Sequence, residues 1–319
     1  MHRRNLLLTA IATLPAMRAF ASDAPPIKLI VPFAPGGSAD FIARLIAVPL
    51  SLRLEQPVVV ENKAGAGSTI GTAAIAQASP DGLTLGIAAV SGMATGPATM
   101  KVGYDPHKDF TAITNICATP SVIAVNPSFP ATNFQEFLQV VRKNPGKYSY
   151  ATSGPGSVGN LQMELFKQLA DLRIVHIPYT GASQALTGVI SGQGAEIIFD
   201  QLPSIRNHVV AKKLIPVALA SSKQLPMPFN IPTLKELGFE RANRMSFFGL
   251  IAPAGLKQEV LARISKAMDG VLHSDTGTRR KLEDAGSFVI GNTPQQFQEQ
   301  ISSEYKTYAD LVKRLNLTI

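Results

Sequence analysis

The sequence predicts an α/β fold made of two doubly wound lobes that are joined by two crossings of the chain. Short apolar runs typical of strands alternate with amphipathic stretches typical of helices from residue 27 onwards. A long extended section at 110–128 interrupts this alternation, which then resumes. With 319 residues and 45% hydrophobic content, the chain is long enough to bury two cores of ordinary domain size.

The first residues have the features of an export signal. Arg3 and Arg4 precede an apolar run, and Ala19-Phe20-Ala21 has the small residues of a cleavage site. Residues 1–21 are therefore predicted to be a cleavable signal peptide. It directs export by the general secretory route or, given the paired arginines, by the twin-arginine route. No later segment reaches about 20 uninterrupted apolar residues, so we expect a soluble mature protein without direct membrane insertion.

The predicted elements of the first lobe form a βαβαβ unit with a parallel sheet. Its strands are LIVPF, PVVVEN and LTLGIAAV, and its helices are ADFIARLIAVPLSLRL and TIGTAAIAQAS. The extended section that follows is too long for one ordinary strand, and we interpret it as a crossing into the second lobe.

The second lobe repeats this alternation. It begins with a helix near Thr132, whose spacing from Gln135 fits a capping box, and continues through strands YSYAT, IVHIPY and EIIFD with helices between them. A second crossing is predicted at 214–222. A last helix starts at Pro294, with Thr293 and Gln296 as its capping box. The predicted lobe 1 is 22–118 together with 223–319, and the predicted lobe 2 is 119–222.

Two glycine-rich loops follow strands and open helices, one in each lobe. They are Pro32–Gly37, followed by Ser38, and Ser153–Gly159. Glycines allow the backbone to approach a ligand closely, and a helix N-terminus offers unpaired N–H groups with a positive dipole end. Asp40 lies in the first helical turn, where an acidic residue stabilises the helix, and this fits it better than a ligand role. Because loops at the carboxyl ends of strands share one sheet edge, the two loops are expected to close over one cleft.

Several other functions are disfavoured by the residues. Gly154 to Gly159 matches the dinucleotide pattern G-x-G-x-x-G, but the next strand ends in Pro178-Tyr179-Thr180 without the acid that holds a ribose. No serine has the glycines of a nucleophile elbow, and the five histidines are isolated, so neither catalytic residues nor a metal site are predicted.

The net charge of +8 comes from scattered basic residues without tryptophan, which disfavours nucleic-acid binding. The single Cys117 is expected to be a buried thiol.

Several sequence blocks together resemble the Bug (TctC-like) extracytoplasmic solute receptors of tripartite tricarboxylate transporters. The first three blocks are PFAPGGSAD, PVVVENKAGAG and PDGLTL, followed in order by NPGKYSYATSGPGSVGN, HIPYTGASQAL, IIFDQLPS, IPTLKELG and FFGLIAPAGL. The resemblance implies a periplasmic binding protein of type II that binds small carboxylates in a hinged cleft and hands them to membrane subunits. Asn160 and Phe247 depart from the family pattern, since histidine and tryptophan are frequent at these positions.

The resemblance also implies which residues contact the ligand. In the first lobe they are Phe33, Ala34, Pro35, Gly36, Gly37 and Ser38, then Ala89 and Ser91, with Phe248 as a wall of the site. Asp40 is a further candidate because of its place in the first turn of the helix that follows this loop. In the second lobe they are Ser153, Gly154, Gly156, Ser157 and Gly159, then Tyr179, Gly181, Ala182 and Asp200. The side chain of Asp200 could accept a hydrogen bond from a ligand hydroxyl or amino group, or could instead anchor the next helix.

The proposed loops contain no arginine or lysine, which bears on the ligand's charge. Backbone N–H groups, serine hydroxyls and helix dipoles then have to hold the carboxylate, and a fully charged tricarboxylate is poorly served. The sequence therefore predicts a non-enzymatic, monomeric periplasmic receptor for a mono- or dicarboxylate, without a cofactor. A ligand sensor for a signalling partner and a secreted α/β enzyme acting on small carboxylates remain alternatives.

Overall fold

The computed structural model describes residues 24–316 and contains two β-sheets, each with parallel and antiparallel strands and with helices packed on it. The predicted signal peptide lies outside the described residues. The sheet of lobe 1 is formed by β1 (Ile27–Val31), β2 (Val58–Asn62), β3 (Thr84–Ala89), β4 (Phe110–Thr119), β10 (Ser246–Pro253) and β11 (Phe288–Val289). The sheet of lobe 2 is formed by β5 (Ser121–Val125), β6 (Ser149–Thr152), β7 (Val175–Pro178), β8 (Ile197–Gln201) and β9 (Ile215–Ala220).

The two sheets share one topology over five strands, and the sheet of lobe 1 has β11 as an additional edge strand. The strand order is β11-β4-β10-β3-β1-β2 in lobe 1 and β7-β6-β8-β5-β9 in lobe 2. In each lobe the predicted βαβαβ unit is present, with β1 parallel to β2 and β3, and β6 parallel to β7 and β8. The sheets are mixed rather than purely parallel, because a strand arriving from the other lobe, β10 or β5, inserts antiparallel beside β3 or β8.

Helices cover both faces of each sheet. In lobe 1 they are α1 (Ser38–Leu54), α2 (Thr69–Ala76), α3 (Gly96–Thr99), α8 (Gln258–Asp269), α9 (Thr276–Asp284) and α10 (Pro294–Leu315), with π-helical turns at Ser91–Thr95 and Gly270–Ser274. In lobe 2 they are α4 (Phe134–Lys143), α5 (Val158–Ala170), α6 (Ala182–Ser191) and α7 (Leu202–Val210). None of the helices within residues 24–316 is both long and apolar enough to cross a membrane.

Capping residues decide where two of these helices begin. The capping box predicted for α10 is confirmed, because the Thr293 side chain accepts from the Gln296 N–H while the Gln296 side chain accepts from the Thr293 N–H. The box predicted at Thr132 and Gln135 is wrong by one residue. Asn133 caps α4, and the Glu136 carboxylate accepts from both the N–H and the hydroxyl of Thr132.

The chain crosses between the lobes twice. The extended section at 110–128 divides into β4 in one sheet and β5 in the other, as its length predicts. After β9, residues 221–245 run along lobe 2 with only a short 3₁₀ helix at Glu240–Ala242. Leu225, Leu234 and Ala242 of this segment are buried in the hydrophobic clusters of lobe 2. The domain boundaries stay predictions, and this packing favours a later return to lobe 1 than residue 223.

Helix α10 also connects the lobes near these crossings. Phe297, Ile301 and Tyr308 are fully buried and share a cluster with Val158 and Leu161 of α5. The Gln162 Nε2 group donates to the Tyr308 hydroxyl at 3.0 Å. The last helix therefore packs against the base of the second glycine-rich loop.

Candidate functional site

The two glycine-rich loops meet at the interface between the lobes. The Ser183 hydroxyl of lobe 2 donates to the Pro35 carbonyl of lobe 1 at 2.8 Å, and the Thr95 hydroxyl of lobe 1 donates to the Gly156 carbonyl of lobe 2 at 2.7 Å. These direct contacts describe a closed arrangement. The carboxyl ends of the strands in both sheets therefore face one cleft, as the sequence predicts.

Asp40 holds the first loop in shape. Its carboxylate accepts from the Gly36 N–H at 3.0 Å, from Arg44 Nε at 3.0 Å and from Asn62 Nδ2 at 2.9 Å, while Asn62 Nδ2 also donates to the Phe33 carbonyl. Burial acts to raise the pKa of Asp40, but these hydrogen bonds and the Arg44 charge outweigh it and lower the pKa. All three donors come from lobe 1, so this geometry favours the structural alternative for Asp40.

Ser38 joins the N-termini of two helices from opposite lobes. The Ser38 N–H donates to the Ser204 hydroxyl at 3.0 Å, and the Ser204 N–H donates to the Ser38 hydroxyl at 3.1 Å. The two hydroxyl oxygens lie 2.6 Å apart. Because Ser38 opens α1 and Ser204 lies in the first turn of α7, the positive dipole ends of both helices point at this contact.

A serine of lobe 1 also contacts the N-terminus of α5 in lobe 2. Ser157 caps α5 and donates from its hydroxyl to the Gly154 carbonyl at 2.7 Å. Ser91 of lobe 1 accepts the Val158 N–H at 3.0 Å through its hydroxyl. The N-termini of α1, α7 and α5 are thus each contacted by a hydroxyl from the opposite lobe.

The remaining residues of the second loop lie close to this contact. Ser153 is half-buried, and Gly154 and Gly159 are buried. Gly154 and Gly156 have φ angles of +125° and +69°, which favour glycine and turn the loop into the helix. A Cβ on Gly159 would collide with the Phe199 carbonyl of β8, so the helix approaches the strand closely at this position.

The loop after β7 is only partly directed at the cleft. A Cβ built on Gly181 would lie 2.6 Å from Ala34 Cβ, and one built on Gly37 would lie 3.2 Å from Ala182 Cβ, so the backbones of these loops are in contact. The Tyr179 hydroxyl instead lies against Gly188 and borders a separate cavity of about 450 Å³ along α6. The structure therefore brings the backbone of this loop to the cleft but not the Tyr179 hydroxyl.

Asp200 places an unpaired carboxylate oxygen next to the serine contact. Its side chain is 5% exposed at the carboxyl end of β8, and its Oδ2 atom has no hydrogen-bond partner among the described residues. Burial raises the pKa of Asp200 to about 6, against the opposing effects of the Gln201 N–H and the Ser204 hydroxyl. A buried oxygen without a donor is unfavourable, so this position suits a donor supplied by another molecule.

Phe248 lies in the hydrophobic core of lobe 1, next to the first glycine-rich loop. It is 2% exposed, pairs with Ala89 in the register of β10 and β3, and belongs to the core cluster on which Phe33 packs. Its side chain therefore lies in the lobe core beneath the cleft.

One loop that sequence reasoning left out of the site also reaches the interface. Residues Gly65, Ala66, Gly67 and Ser68, between β2 and α2, all have positive φ, a strained conformation for alanine and serine. A Cβ on Gly67 would collide with the Pro155 carbonyl of the second loop, and Ser68 Oγ is buried without a hydrogen-bond partner within residues 24–316. The signal was the Gly-Ala-Gly of the block PVVVENKAGAG.

Cations border the cleft although none lies in its loops. A cavity of about 420 Å³ is lined by Gly36, Gly37 and Ser204 together with the half-buried Arg206 and the exposed Lys281. Helices α7 and α9 supply these two charges, which loop composition alone does not indicate. Across residues 24–316 no group of three or more His, Cys, Asp or Glu side chains is arranged to hold a metal ion.

Comparison with known proteins identifies related chains over nearly the whole length. The family model described as "Tripartite tricarboxylate transporter family receptor" (TctC) matches residues 42–317. The solved structure of a periplasmic transporter is 44% identical, covers 92% of this chain and 98% of its own, and superposes with a TM-score of 0.89.

Two further solved structures contain dicarboxylates. A protein from R. palustris with adipate is 30% identical, covers 92% of this chain and 98% of its own, and has a TM-score of 0.87. MatC from Rhodopseudomonas palustris with bound malate is 28% identical, covers 90% of this chain and 98% of its own, and has a TM-score of 0.85. These likenesses confirm the predicted periplasmic binding protein fold of two α/β lobes.

Proposed function

Since this chain belongs to the TctC family of tripartite tricarboxylate transporter receptors, as its Bug-like sequence blocks predict, we propose that it captures a small mono- or dicarboxylate between its lobes. It then delivers the ligand to the membrane subunits of such a transporter. The ligand binds in the cleft between Pro32–Ser38 and Ser153–Gly159, and no turnover is expected. The protein acts as a monomer in the periplasm, after removal of residues 1–21.

The observation that carries this proposal is the contact of serine hydroxyls with helix N-termini from opposite lobes. The Ser38 N–H and the Val158 N–H each donate to a hydroxyl across the cleft, at 3.0 Å in both cases. A carboxylate oxygen accepts the same hydrogen bonds more strongly, because it is charged and lies at the positive end of a helix dipole. A ligand with one carboxylate at each of these two contacts would replace both hydroxyls and bridge the lobes.

The ligand class follows from the number of donors and their charge. The loops offer neutral donors only, and each partly buried helix end stabilises an anion by at most about 2 kcal/mol. Two such contacts suit one or two carboxylates, which matches the adipate and malate of the two R. palustris proteins. Arg206 and Lys281 at the border of the cleft would attract the anion without contacting it directly.

Asp200 is proposed to select for a donor on the ligand. Its unpaired Oδ2 lies beside Ser204, so a hydroxyl or ammonium group next to the bound carboxylate would donate to it. A ligand without such a group leaves this oxygen unsatisfied. The proposal therefore ranks a hydroxy- or amino-substituted acid above its unsubstituted analogue.

A thermal-shift panel of organic acids tests the proposal. Malate, succinate, adipate, acetate and citrate are added at equal concentration to the mature protein at pH 7.5, and a ligand that binds the native state raises the melting temperature. We expect malate to stabilise more than succinate, and citrate to give the smallest shift among the multivalent acids. Strong stabilisation by citrate alone would overturn the ligand assignment, and stabilisation by none of the acids would overturn the receptor proposal.

Delivery is tested separately, in cells. The gene for this chain is deleted in its own host, and uptake of the labelled acid that gives the largest thermal shift is measured. Loss of uptake that is restored by the full chain supports transport. Unchanged uptake, with a changed transcriptional response to the acid, would favour the sensor alternative.

A further inference from the structure

A partly buried polar network lies directly behind the second glycine-rich loop. It contains Tyr150 and Thr152 of β6, Asn160 and Glu164 of α5, and His176 of β7. Asn160 is 1% exposed, and the rings of Tyr150 and His176 stack with their centroids 4.8 Å apart. The network contacts the loop at Gly154 and Gly156.

The orientation of the Asn160 amide follows from its neighbours. The Gly156 N–H, 3.1 Å away, can only donate, so the atom that faces it is Asn160 Oδ1. The Tyr150 hydroxyl donates to the Glu164 carboxylate, which can only accept, so the Tyr150 oxygen accepts from Asn160 Nδ2 at 2.9 Å. Both contacts require the same orientation of the amide.

This orientation determines the protonation of His176. Asn160 Nδ2 lies 3.4 Å from His176 Nδ1, and an NH₂ group can only donate, so Nδ1 has to accept and carries no proton. The ring is therefore neutral with its proton on Nε2, which donates to the Thr152 hydroxyl oxygen at 2.8 Å. That hydroxyl accepts from the Gly154 N–H and donates to the Gly154 carbonyl.

The charges around His176 act in opposite directions. Burial is the largest effect and lowers the pKa of His176, the Glu164 carboxylate raises it, and the Lys167 ammonium lowers it. Glu164 and Lys167 are themselves paired at 2.7 Å on α5. The pKa therefore lies below the usual value of about 6.5, and the neutral ring is the form present at neutral pH.

We propose that Asn160 and His176 are positioning residues that hold the loop Ser153–Gly159 in its binding geometry only while His176 is neutral, so that acidification weakens carboxylate binding. A proton on Nδ1 would face the NH₂ group of Asn160. If the amide turned to accept this proton, its NH₂ group would face the Gly156 N–H, and the loop would lose its acceptor. The binding consequence rests on the function proposed above, whereas the coupling between His176 and Gly156 does not.

The coupling is tested without any ligand by NMR of the full mature chain. The ring nitrogens of His176 and the amide of Gly156 are followed between pH 4.5 and 8. We expect the Gly156 amide to shift with the same midpoint as His176, below about 6.5. A Gly156 amide that does not follow the His176 midpoint would overturn the proposal, whatever the protein binds.

Two variants separate positioning from mere structural support. His176→Asn retains an acceptor towards Asn160 but cannot be protonated, so the pH-dependent shift of Gly156 should disappear. Asn160→Asp places a carboxylate oxygen where Nδ2 stands, which favours the protonated ring and should raise the His176 midpoint by at least about one pH unit. A midpoint that is unchanged or lower in Asn160→Asp would contradict the hydrogen-bond assignment.

The functional arm uses malate as the probe, with calorimetry at pH 7.5 and at one pH unit below the His176 midpoint that NMR gives. At the lower pH about one ring in eleven is neutral, so the wild-type dissociation constant should rise on acidification by about tenfold more than that of His176→Asn, since only the fraction with a neutral ring is competent. His273→Asn, on the surface of lobe 1, is the matched control and should follow the wild type. Identical pH profiles for wild type and His176→Asn, while malate binds both, would overturn the proposal and leave the receptor function intact.

Discussion

The buried carboxylate of Asp200 should reduce the stability of the protein at neutral pH. An ionised oxygen that is shielded from water and lacks a donor is unfavourable, and Asp200 Oδ2 is such an atom. Replacing the residue by asparagine, which has almost the same shape, removes the charge. Asp200→Asn should therefore be more stable than the wild type above pH 6, although it alters a residue of the cleft.

The size of the effect follows from the pKa of Asp200 in the two states. The native pKa of about 6 exceeds the usual aspartate pKa of 3.8 by about two units, and each unit corresponds to about 1.4 kcal/mol. Because the native state holds the proton more tightly, the free energy of unfolding falls as the pH rises from 3.8 to 6. The total is about 3 kcal/mol, of which about 2 kcal/mol develops between pH 4.5 and 7.5.

The assay is urea unfolding of wild type and variant across this pH range, without added ligand. The quantity of interest is the stability of the variant minus that of the wild type, because any constant cost of the asparagine cancels when two pH values are compared. Asp310→Asn, which alters an exposed carboxylate on α10, is the matched control and should show a difference that stays within about 0.5 kcal/mol.

Parallel stability curves for wild type and Asp200→Asn would refute this reasoning. They would mean that the Asp200 carboxylate is solvated or paired in solution, and that it is not poised to accept a donor from the ligand. A difference that shrinks as the pH rises would refute the sign of the effect as well.

Two further predictions concern closure of the cleft. Gly67→Ala should weaken malate binding at least tenfold and keep the lobes apart in solution scattering, because its Cβ would collide with lobe 2. Gly146 also has a positive φ but has open space around it, so Gly146→Ala is the control and should bind malate as the wild type does. Equal affinities of the two variants would contradict the closed arrangement. Ser38→Ala and Ser204→Ala should be coupled by about 0.5–1.5 kcal/mol in a double-mutant cycle of unfolding, and additive effects would exclude their contact in solution.

The local parts of the fold could be predicted because their signals are short in sequence. The alternation of apolar and amphipathic runs indicates the βαβαβ units, and Thr293 with Gln296 indicates the start of α10. The antiparallel strands β5 and β10 could not be predicted this way, because their direction depends on where a crossing strand enters the other sheet. The one-residue error at α4 arose because Asn133 competes with Thr132 for the cap.

In the candidate site too, the local features could be predicted from the sequence and the long-range contacts could not. The loops at Gly36 and Gly156 could be predicted from strand, glycine and helix order, since that order is local. The partners that meet them could not, because Ser204 lies 166 residues from Ser38 and Ser91 lies 67 residues from Val158. The same holds for Asp40, whose role depends on a hydrogen bond from Asn62 on a neighbouring strand.

Native mass spectrometry of the protein purified from its own periplasm tests whether it captures a small carboxylate between its lobes. A receptor that closes over its ligand should retain one small molecule, and we expect a single mass of a mono- or dicarboxylate with a hydroxyl or amino group. The Gly67→Ala variant should lose this mass under the same conditions. A retained nucleotide or citrate, or a carboxylate held equally by Gly67→Ala, would contradict capture of a small carboxylate between the closed lobes.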